Sequence, residues 1–161
     1  CDRVFIFALS MGGATSIQVA HRYGSKIAGL VFVNPMITIK GPAQYFLPIL
    51  SKFVPKMKAV GGDIKRPGAS EWSYNALPLK GVVQLRKLLR DSRAKLPEIK
   101  VPFMIFHSVE DHVLPVYNTE IYMDEIGSTN KQRIELTNSY HVATVDYDAD
   151  IIFENSLQML R

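Results

Sequence analysis

The feature that most constrains this chain is the run of apolar and small residues around Ser10, close to its first residue. Val4–Phe7 are four bulky apolar residues in a row, which is typical of a buried β-strand. The residues after Ser10 favour a helix, so the sequence predicts a tight strand–serine–helix turn. Such a turn forces the serine into a strained conformation that holds its hydroxyl clear of the sheet. Ala8, Gly12 and Gly13 are expected to be small because the strand and the helix pass close together there.

This turn is typical of a nucleophilic serine. The N-terminus of the helix beneath Ser10 adds free N–H groups and a positive dipole end, which stabilise negative charge on a substrate oxygen. The commoner pattern is G-x-S-x-G, and this chain has Ala8 in place of the first glycine. The other interpretation of the same residues is an ordinary strand-to-helix turn without a chemical role.

A serine nucleophile requires a general base, and the base requires an acid that orients it. Where a strand–serine–helix turn carries the nucleophile, the chain order is Ser, acid, His, each at the carboxyl end of a strand. A predicted strand over Val101–Phe106 leads into a loop with Glu110 and Asp111. We choose Asp111 as the acid because of its shorter reach, and keep Glu110 in reserve. A predicted strand over 132–136 leads into the loop of His141, the candidate base.

Strands and helices alternate along most of the chain. The sequence predicts helices over 11–23, 115–127 and from about Asp148 to Leu160, and another strand over 27–33. Gly24 is expected to end the first helix in the left-handed conformation. Strands separated by helices predict the α/β class, with a parallel sheet flanked by helices.

Residues 36–95 break this alternation and are predicted to form an inserted helical cap between two core segments, 1–35 and 96–161. One interpretation of the cap is a small helical subdomain that packs on itself. The other is an apolar lid over the serine that binds an acyl chain, with Tyr45, Trp72 and Tyr74 as candidates to line the pocket. The apolar residues that recur at helical spacing are Phe46, Ile49, Leu50, Phe53 and Met57, and then Val82, Val83, Leu85, Leu88 and Leu89.

The composition is typical of a globular enzyme domain, with 47% hydrophobic and 21% charged residues. No apolar run is long enough to span a membrane. Cys1 is the single cysteine, which excludes an internal disulfide framework and favours a reducing compartment such as the cytoplasm. His107, Asp111 and His112 could imitate a metal cluster, but no set of residues has convincing zinc spacing, so we expect no metal.

The chain is mildly basic, with a formal net charge of +4. We interpret the basic residues of the cap as a solvated surface, and the alternative is weak attraction to anionic lipid. Nucleic-acid binding is not expected, because no recognised motif or aromatic platform accompanies the charge. The basic residues concerned are Lys52, Lys56, Lys58, Lys65 and Arg66.

The serine turn lies at the start of the chain, whereas several strand–helix units usually precede it. An α/β domain typically has roughly 200–250 residues, and this chain has 161. We therefore expect a C-terminal part of a longer protein, with roughly 80–100 residues before it.

Three segments resemble the bacterial carboxylesterase and monoacylglycerol-lipase group of α/β-hydrolases. They are Ala8–Gly13, the acid loop Val109–Val113, and the histidine loop Ser139–Asp146. The resemblance covers essentially the whole chain and is least specific in the cap. It implies hydrolysis of short- to medium-chain acyl esters, including monoacylglycerols, without a cofactor.

By the same resemblance, Ser10 is the nucleophile, His141 the base and acid, and Asp111 its orienting partner. The backbone N–H of Met11 would donate one oxyanion hydrogen bond. The second donor belongs to a loop after an earlier strand, which these residues do not contain. The resemblance thus implies that the missing part of the protein is needed, and that the chain alone is nearly inactive.

Other functions stay open on the sequence alone. The same three residue types serve thioesterases, peptidases and carbon–carbon bond hydrolases of the same fold, and the cap decides among them. Some proteins of this fold bind ligands with little turnover, although an intact set of Ser10, Asp111 and His141 argues against that. A dehalogenase is disfavoured because its nucleophile would be an aspartate.

Overall fold

The parallel sheet that was expected from the alternating pattern forms the centre of the fold. The computed structural model describes residues 2–39, 41, 43–59 and 61–159, and of residues 43–45 and 47 the backbone alone. The strands are β1 (Val4–Leu9), β2 (Ile27–Val33), β3 (Lys56–Lys58), β4 (Ala76–Pro78), β5 (Phe103–Ser108) and β6 (Lys131–Leu136). The helices are α1 (Met11–Tyr23), α2 (Ala43–Leu50), α3 (Leu79–Arg93), α4 (Tyr117–Glu125) and α5 (Ala149–Met159).

Four of these strands pair in parallel in the order β1-β2-β5-β6. The two central strands, β2 and β5, are almost wholly buried, which explains their continuous apolar sequences. In the described part of the chain β1 pairs with β2 alone, and Phe5 and Phe7 are 37% and 45% exposed. The sheet of the described residues therefore has an apolar, open edge at β1.

Both faces of the sheet are covered, because successive residues of β2 and β5 point to opposite sides. Leu30 and Phe32 pack in one cluster with residues of α1, α3 and α4. Val31 and Val33 pack in a second cluster, which includes Ile152 of α5. The two layers of helices hold the sheet from both sides, so its carboxyl edge is a rigid platform for the loops that follow each strand.

The segment predicted as a cap differs from the expectation in part. It contains α2 and α3, but β3 and β4 form an antiparallel pair that the helical prediction missed. Three-residue strands are too short to produce a recognisable alternation. The later half of α3 packs against α1, where the Ser92 hydroxyl donates to the Ala14 carbonyl at 2.8 Å. The boundaries of the cap at 36–95 stay a prediction.

Three apolar side chains described in helix α2 are exposed, those of Phe46, Ile49 and Leu50. Phe46 and Ile49 are 65% and 61% exposed, and Phe53, which follows the helix, is 79% exposed. These side chains are largely exposed to solvent, so they do not form the buried face of a subdomain that packs on itself.

The ends of the helices also correct the sequence analysis. Gly24 has a φ of −46° and begins a short 3-10 turn, so it is not the left-handed cap that was predicted. Asp148 directly precedes α5, and its carboxylate accepts a hydrogen bond from the Asn138 N–H at 2.8 Å. The predicted end of this helix at Leu160 lies outside the described residues. None of the described helices is both long and apolar enough to cross a membrane.

Gly13 has the tightest surroundings of the two glycines that follow Ser10. A Cβ on Gly13 would lie 2.7 Å from the Pro35 Cβ and 3.1 Å from the Tyr122 hydroxyl. A Cβ on Gly12 would meet only the Ala8 Cβ at 3.4 Å, which is an ordinary contact. The expected close approach of helix and strand is therefore strict at Gly13 and relaxed at Gly12.

We predict that Gly13→Ala lowers the free energy of unfolding by about 1–3 kcal/mol, because the added methyl overpacks the contact with Pro35. Gly24→Ala is the matched control, since a Cβ there meets nothing within 4 Å and the backbone is already right-handed. It should leave stability unchanged or raise it by up to about 1 kcal/mol. Urea denaturation measures both variants, and equal effects would contradict the packing argument.

Candidate active site

Ser10 lies at the point where β1 ends and α1 begins. Its φ of 55° and ψ of −123° confirm the strained backbone that the sequence predicted. Three backbone hydrogen bonds hold the strain: its N–H donates to the Val33 carbonyl at 3.0 Å, and its carbonyl accepts from Gly13 and Met36 at 3.1 and 3.0 Å. The hydroxyl therefore projects from a fixed position above the sheet edge.

His141 lies on the loop after β6 and joins the other two predicted residues. Its Nε2 is 3.0 Å from the Ser10 hydroxyl oxygen, and its Nδ1 is 2.8 Å from Asp111 Oδ2. A carboxylate only accepts, so Nδ1–H donates to Asp111 and Nε2 is left to accept the Ser10 hydroxyl proton. The imidazole is 9% exposed and the Asp111 carboxyl 1%, so water competes little for these bonds.

Asp111 is held by its own loop. Its Oδ1 accepts the N–H groups of Val113 and Leu114, each at 2.8 Å, which leaves Oδ2 for the histidine. Glu110, the reserve acid, instead pairs with the Lys65 ammonium at 2.7 Å near the surface. The carboxylate that reaches the imidazole is therefore that of Asp111.

Asn34 fixes the backbone of the histidine loop, and the sequence analysis missed this role. It ends β2 with a φ of 43°, a conformation that asparagine tolerates better than most residues. Its buried amide donates to the His141 carbonyl at 2.8 Å and to the Ser108 hydroxyl at 2.9 Å, and accepts from the Ser108 N–H at 2.7 Å. The available signal in the sequence was an asparagine directly before a proline at the end of a predicted strand.

Asp146 is a second buried residue that fixes the histidine loop by hydrogen bonds. Its carboxylate accepts the N–H groups of Tyr140 and Tyr147 at 3.0 and 2.8 Å, and those of Lys65 and Arg66 at 2.7 and 2.9 Å. Burial alone would raise the pKa of this carboxyl, but these N–H donors hold it below its ordinary value. Asp146 therefore stays ionised and joins the histidine loop to the segment after β3.

The start of α1 offers a donor next to the serine. Met11 is the first residue of the helix, and the first N–H groups of a helix have no acceptor within it. This N–H and the positive end of the helix dipole therefore belong to the residue that directly follows Ser10, and its role as an oxyanion donor stays a prediction.

Two of the aromatic residues predicted to line a pocket, Trp72 and Tyr74, have exposed side chains. Trp72 is fully exposed and Tyr74 is 85% exposed, so neither ring forms the wall of a cavity. The segment that carries them is fixed by polar contacts, such as Glu71 Oε1 with the Gly62 N–H at 2.7 Å, which leave the rings in solvent. The described residues therefore do not enclose either ring, and the role of both residues in a substrate pocket stays a prediction. The side chain of Tyr45 lies outside the described residues.

The remaining histidines have structural partners. His107 is buried and contacts the Thr119 hydroxyl at 3.2 Å. His112 pairs with Asp63 at 2.9 Å, and His21 with Glu98 at 3.0 Å. Among the described residues, no group of three or more His, Cys, Asp or Glu side chains could hold a metal ion.

His107 gives a pH prediction. Burial lowers the pKa of its imidazole below the ordinary value of 6.5, and the nearby Asp111 charge offsets only part of this effect. The unfolded chain therefore binds a proton more readily, and stability is lost as the pH falls below about 6.5. His107→Gln should lose less of its free energy of unfolding between pH 8 and pH 5 than the wild type. Urea titrations at the two pH values measure this, and equal losses would contradict it.

Comparison with known proteins agrees with this architecture. The model of the Hydrolase_4 family (serine aminopeptidase, S33) matches residues 1–148. A thermostable monoacylglycerol lipase from Bacillus sp. (strain H-257) is 37% identical over 159 residues, which are 98% of this chain and 62% of that protein. Three curated relatives are matched over 51–62% of their length, so the chain spans little more than half of each.

Solved structures have the same fold. A chain of the metagenome-derived lipolytic enzymes LipS and LipT superposes with a TM-score of 0.93 at 35% identity, over 100% of this chain and 66% of that one. The monoacylglycerol lipase of Paleococcus ferrophilus superposes with a TM-score of 0.79 at 17% identity, over 97% of this chain and 66% of that one. The chain belongs to the serine aminopeptidase S33 family and has the α/β-hydrolase fold.

Proposed function

We propose that this chain supplies the nucleophile, the base and the orienting acid of a serine ester hydrolase. The observation that carries the proposal is the continuous pair of hydrogen bonds from the Ser10 hydroxyl through His141 to Asp111, at 3.0 and 2.8 Å. The substrates proposed are short- to medium-chain acyl esters, including monoacylglycerols. The name of the Bacillus relative, a monoacylglycerol lipase at 37% identity, supports that choice.

In the first half of the reaction, the Ser10 oxygen attacks the ester carbonyl carbon while His141 Nε2 takes the hydroxyl proton. The resulting imidazolium is stabilised by the Asp111 carboxylate, which stays ionised. The tetrahedral intermediate then collapses, and the imidazolium gives its proton to the departing alcohol oxygen. The product of this half is an acyl ester on Ser10.

In the second half, a water molecule takes the place of the alcohol. His141 accepts a proton from the water as the water oxygen attacks the acyl carbonyl. His141 then gives this proton to the Ser10 oxygen as the bond between that oxygen and the acyl carbon breaks and the acid departs. Protons and charges balance over the two steps without a cofactor.

We predict that Ser10→Ala and Asp111→Asn each reduce kcat for p-nitrophenyl butyrate by about 10⁴-fold or more, because the nucleophile or the orientation of the imidazole is lost. Glu110→Gln is the matched control, since Glu110 is the carboxyl next to Asp111 in the chain and pairs with Lys65, whereas His141 bonds to Asp111. It should keep wild-type turnover. The assay uses the full-length protein with wild-type and variant chains at equal concentration.

A substrate panel tests the class of ester. Monoacylglycerols of increasing chain length should be hydrolysed, and aminoacyl p-nitroanilides should not, although the family model carries the description of an aminopeptidase. Faster cleavage of the anilides would replace the proposal with peptidase activity. Full turnover by Ser10→Ala would reject the serine mechanism altogether.

We further propose that residues outside these 161 donate the second oxyanion hydrogen bond. Two observations support this: β1 leaves an apolar edge open, and the chain spans 62% of the length of its Bacillus relative. The open edge is suited to pairing with another strand.

The 161-residue chain alone should therefore turn over p-nitrophenyl butyrate about 10²–10³-fold more slowly than the full-length protein, which is the usual cost of one oxyanion donor. Equal specific activity of the two polypeptides, abolished in both by Ser10→Ala, would contradict this requirement without touching the serine mechanism.

A further inference from the structure

Asp63 connects the segment after β3 with two loops of the active site. Its Oδ2 accepts the backbone N–H of His141 at 3.1 Å and that of His112 at 3.3 Å. Its Oδ1 accepts from His112 Nδ1 at 2.9 Å. The backbone carbonyl of Asp63 also accepts the Val142 N–H at 3.1 Å. One residue thus holds the acid loop and the histidine loop together.

The peptide units on both sides of the His141 side chain are fixed by side chains from distant parts of the chain. Asn34 follows β2, far from the histidine loop in the sequence, and its side-chain amide donates to the His141 carbonyl at 2.8 Å. Asp63 binds the His141 N–H from the other direction, across 78 residues of sequence. The imidazole must meet Ser10 and Asp111 at the same time, so the position of its backbone decides whether both bonds form.

We propose that Asp63 is a positioning residue, whose side-chain oxygen sets the place of the His141 backbone and so the reach of its imidazole to Ser10. The inference rests on the proposed function, because it assigns a task within the same site. Asp63 touches no reacting atom, and it acts through the histidine.

The surroundings of Asp63 suit a fixed acceptor. The side chain is 17% exposed, and burial by itself would raise its pKa. Hydrogen bonds from the His112 ring and from the His141 and His112 N–H groups hold that pKa below the ordinary value of 3.8. The carboxylate is therefore ionised at neutral pH, with both of its oxygens in use.

The segment that carries Asp63 is tied down at neighbouring residues, which gives the acceptor a rigid base. The N–H groups of Lys65 and Arg66 donate to buried Asp146, and the Lys65 ammonium pairs with Glu110 at 2.7 Å. The ring of His112 stands edge-on against Tyr140, with their centroids 4.4 Å apart. Asp63 thus joins the predicted cap region directly to the backbone of His141 by a hydrogen bond.

Position and charge can be separated by two substitutions. Asp63→Asn keeps an oxygen in place for the two backbone N–H groups but removes the charge. Asp63→Glu keeps the charge but moves the oxygens by one methylene. Misplacement of a catalytic group by about 1 Å can cost about 10²-fold in rate. We expect Asp63→Glu and Asp63→Ala to lower kcat by about 10- to 100-fold with KM changed less than threefold, and Asp63→Asn to stay within about threefold of the wild type.

Glu71→Ala is the matched control for a loosened segment. Glu71 accepts the Gly62 N–H, next to Asp63 in the chain, and contacts neither active-site loop in the bonds described. It should keep wild-type kcat. All variants are assayed in the full-length protein with p-nitrophenyl butyrate, and their folding is checked by circular dichroism and thermal midpoint.

Each outcome decides the inference. Wild-type kcat in Asp63→Ala and Asp63→Glu would overturn it, and so would a loss in Asp63→Asn as large as in Asp63→Ala. An equal loss in Glu71→Ala would assign the effect to the segment and not to the histidine. If Asp63→Ala does not fold, the pair Asp63→Asn and Asp63→Glu still gives the answer. Activity that survives Ser10→Ala would instead reject the proposed function, independently of Asp63.

Discussion

The hydrogen bond between Ser10 and His141 joins residues 131 positions apart, and the parallel sheet makes this contact possible. Parallel strands all end at the same edge of a sheet, so the residues that follow β1, β5 and β6 lie at that edge although they are far apart in the sequence. The two buried central strands and the helices on both faces keep that edge rigid. A bond of 3.0 Å between loops so distant in sequence depends on this rigidity, because small shifts of the sheet would separate the imidazole from the hydroxyl.

Hydrogen bonds to backbone groups hold both the strained serine and the loops around it. Ser10 keeps its positive φ because its N–H donates to the Val33 carbonyl at the end of β2, while its own carbonyl accepts from the N–H groups of Gly13 in α1 and of Met36. Asn34, also with a positive φ, uses one buried amide to hold the ends of β5 and the histidine loop. The carboxylates of Asp63 and Asp146 then join the segment after β3 to the histidine loop. Ionised acceptors form stronger hydrogen bonds with N–H groups than neutral acceptors do.

The parts of the fold that the sequence predicted are those with a long periodic signal. Strand β2 was predicted with its observed bounds, Ile27–Val33, because six of its seven residues are hydrophobic and Asn34–Pro35 follows directly. Ser10, Asp111 and His141 could be proposed because strand ends precede each of them. The pair β3 and β4 is too short to leave a pattern, and Gly24 can adopt either sign of φ. The contacts of Asn34 and Asp63 could not be predicted, because each joins residues more than 70 positions away whose proximity exists only in the fold.

Covalent labelling of the full-length protein with a fluorophosphonate tests the central claim most directly. The reagent reacts with a serine hydroxyl only when a neighbouring base activates it, so it reports the chemical state of the serine without a choice of substrate. Intact-mass and peptide analysis should find one adduct per chain, located on Ser10. Absence of an adduct, or an adduct on another residue while Ser10 stays free, would contradict the account.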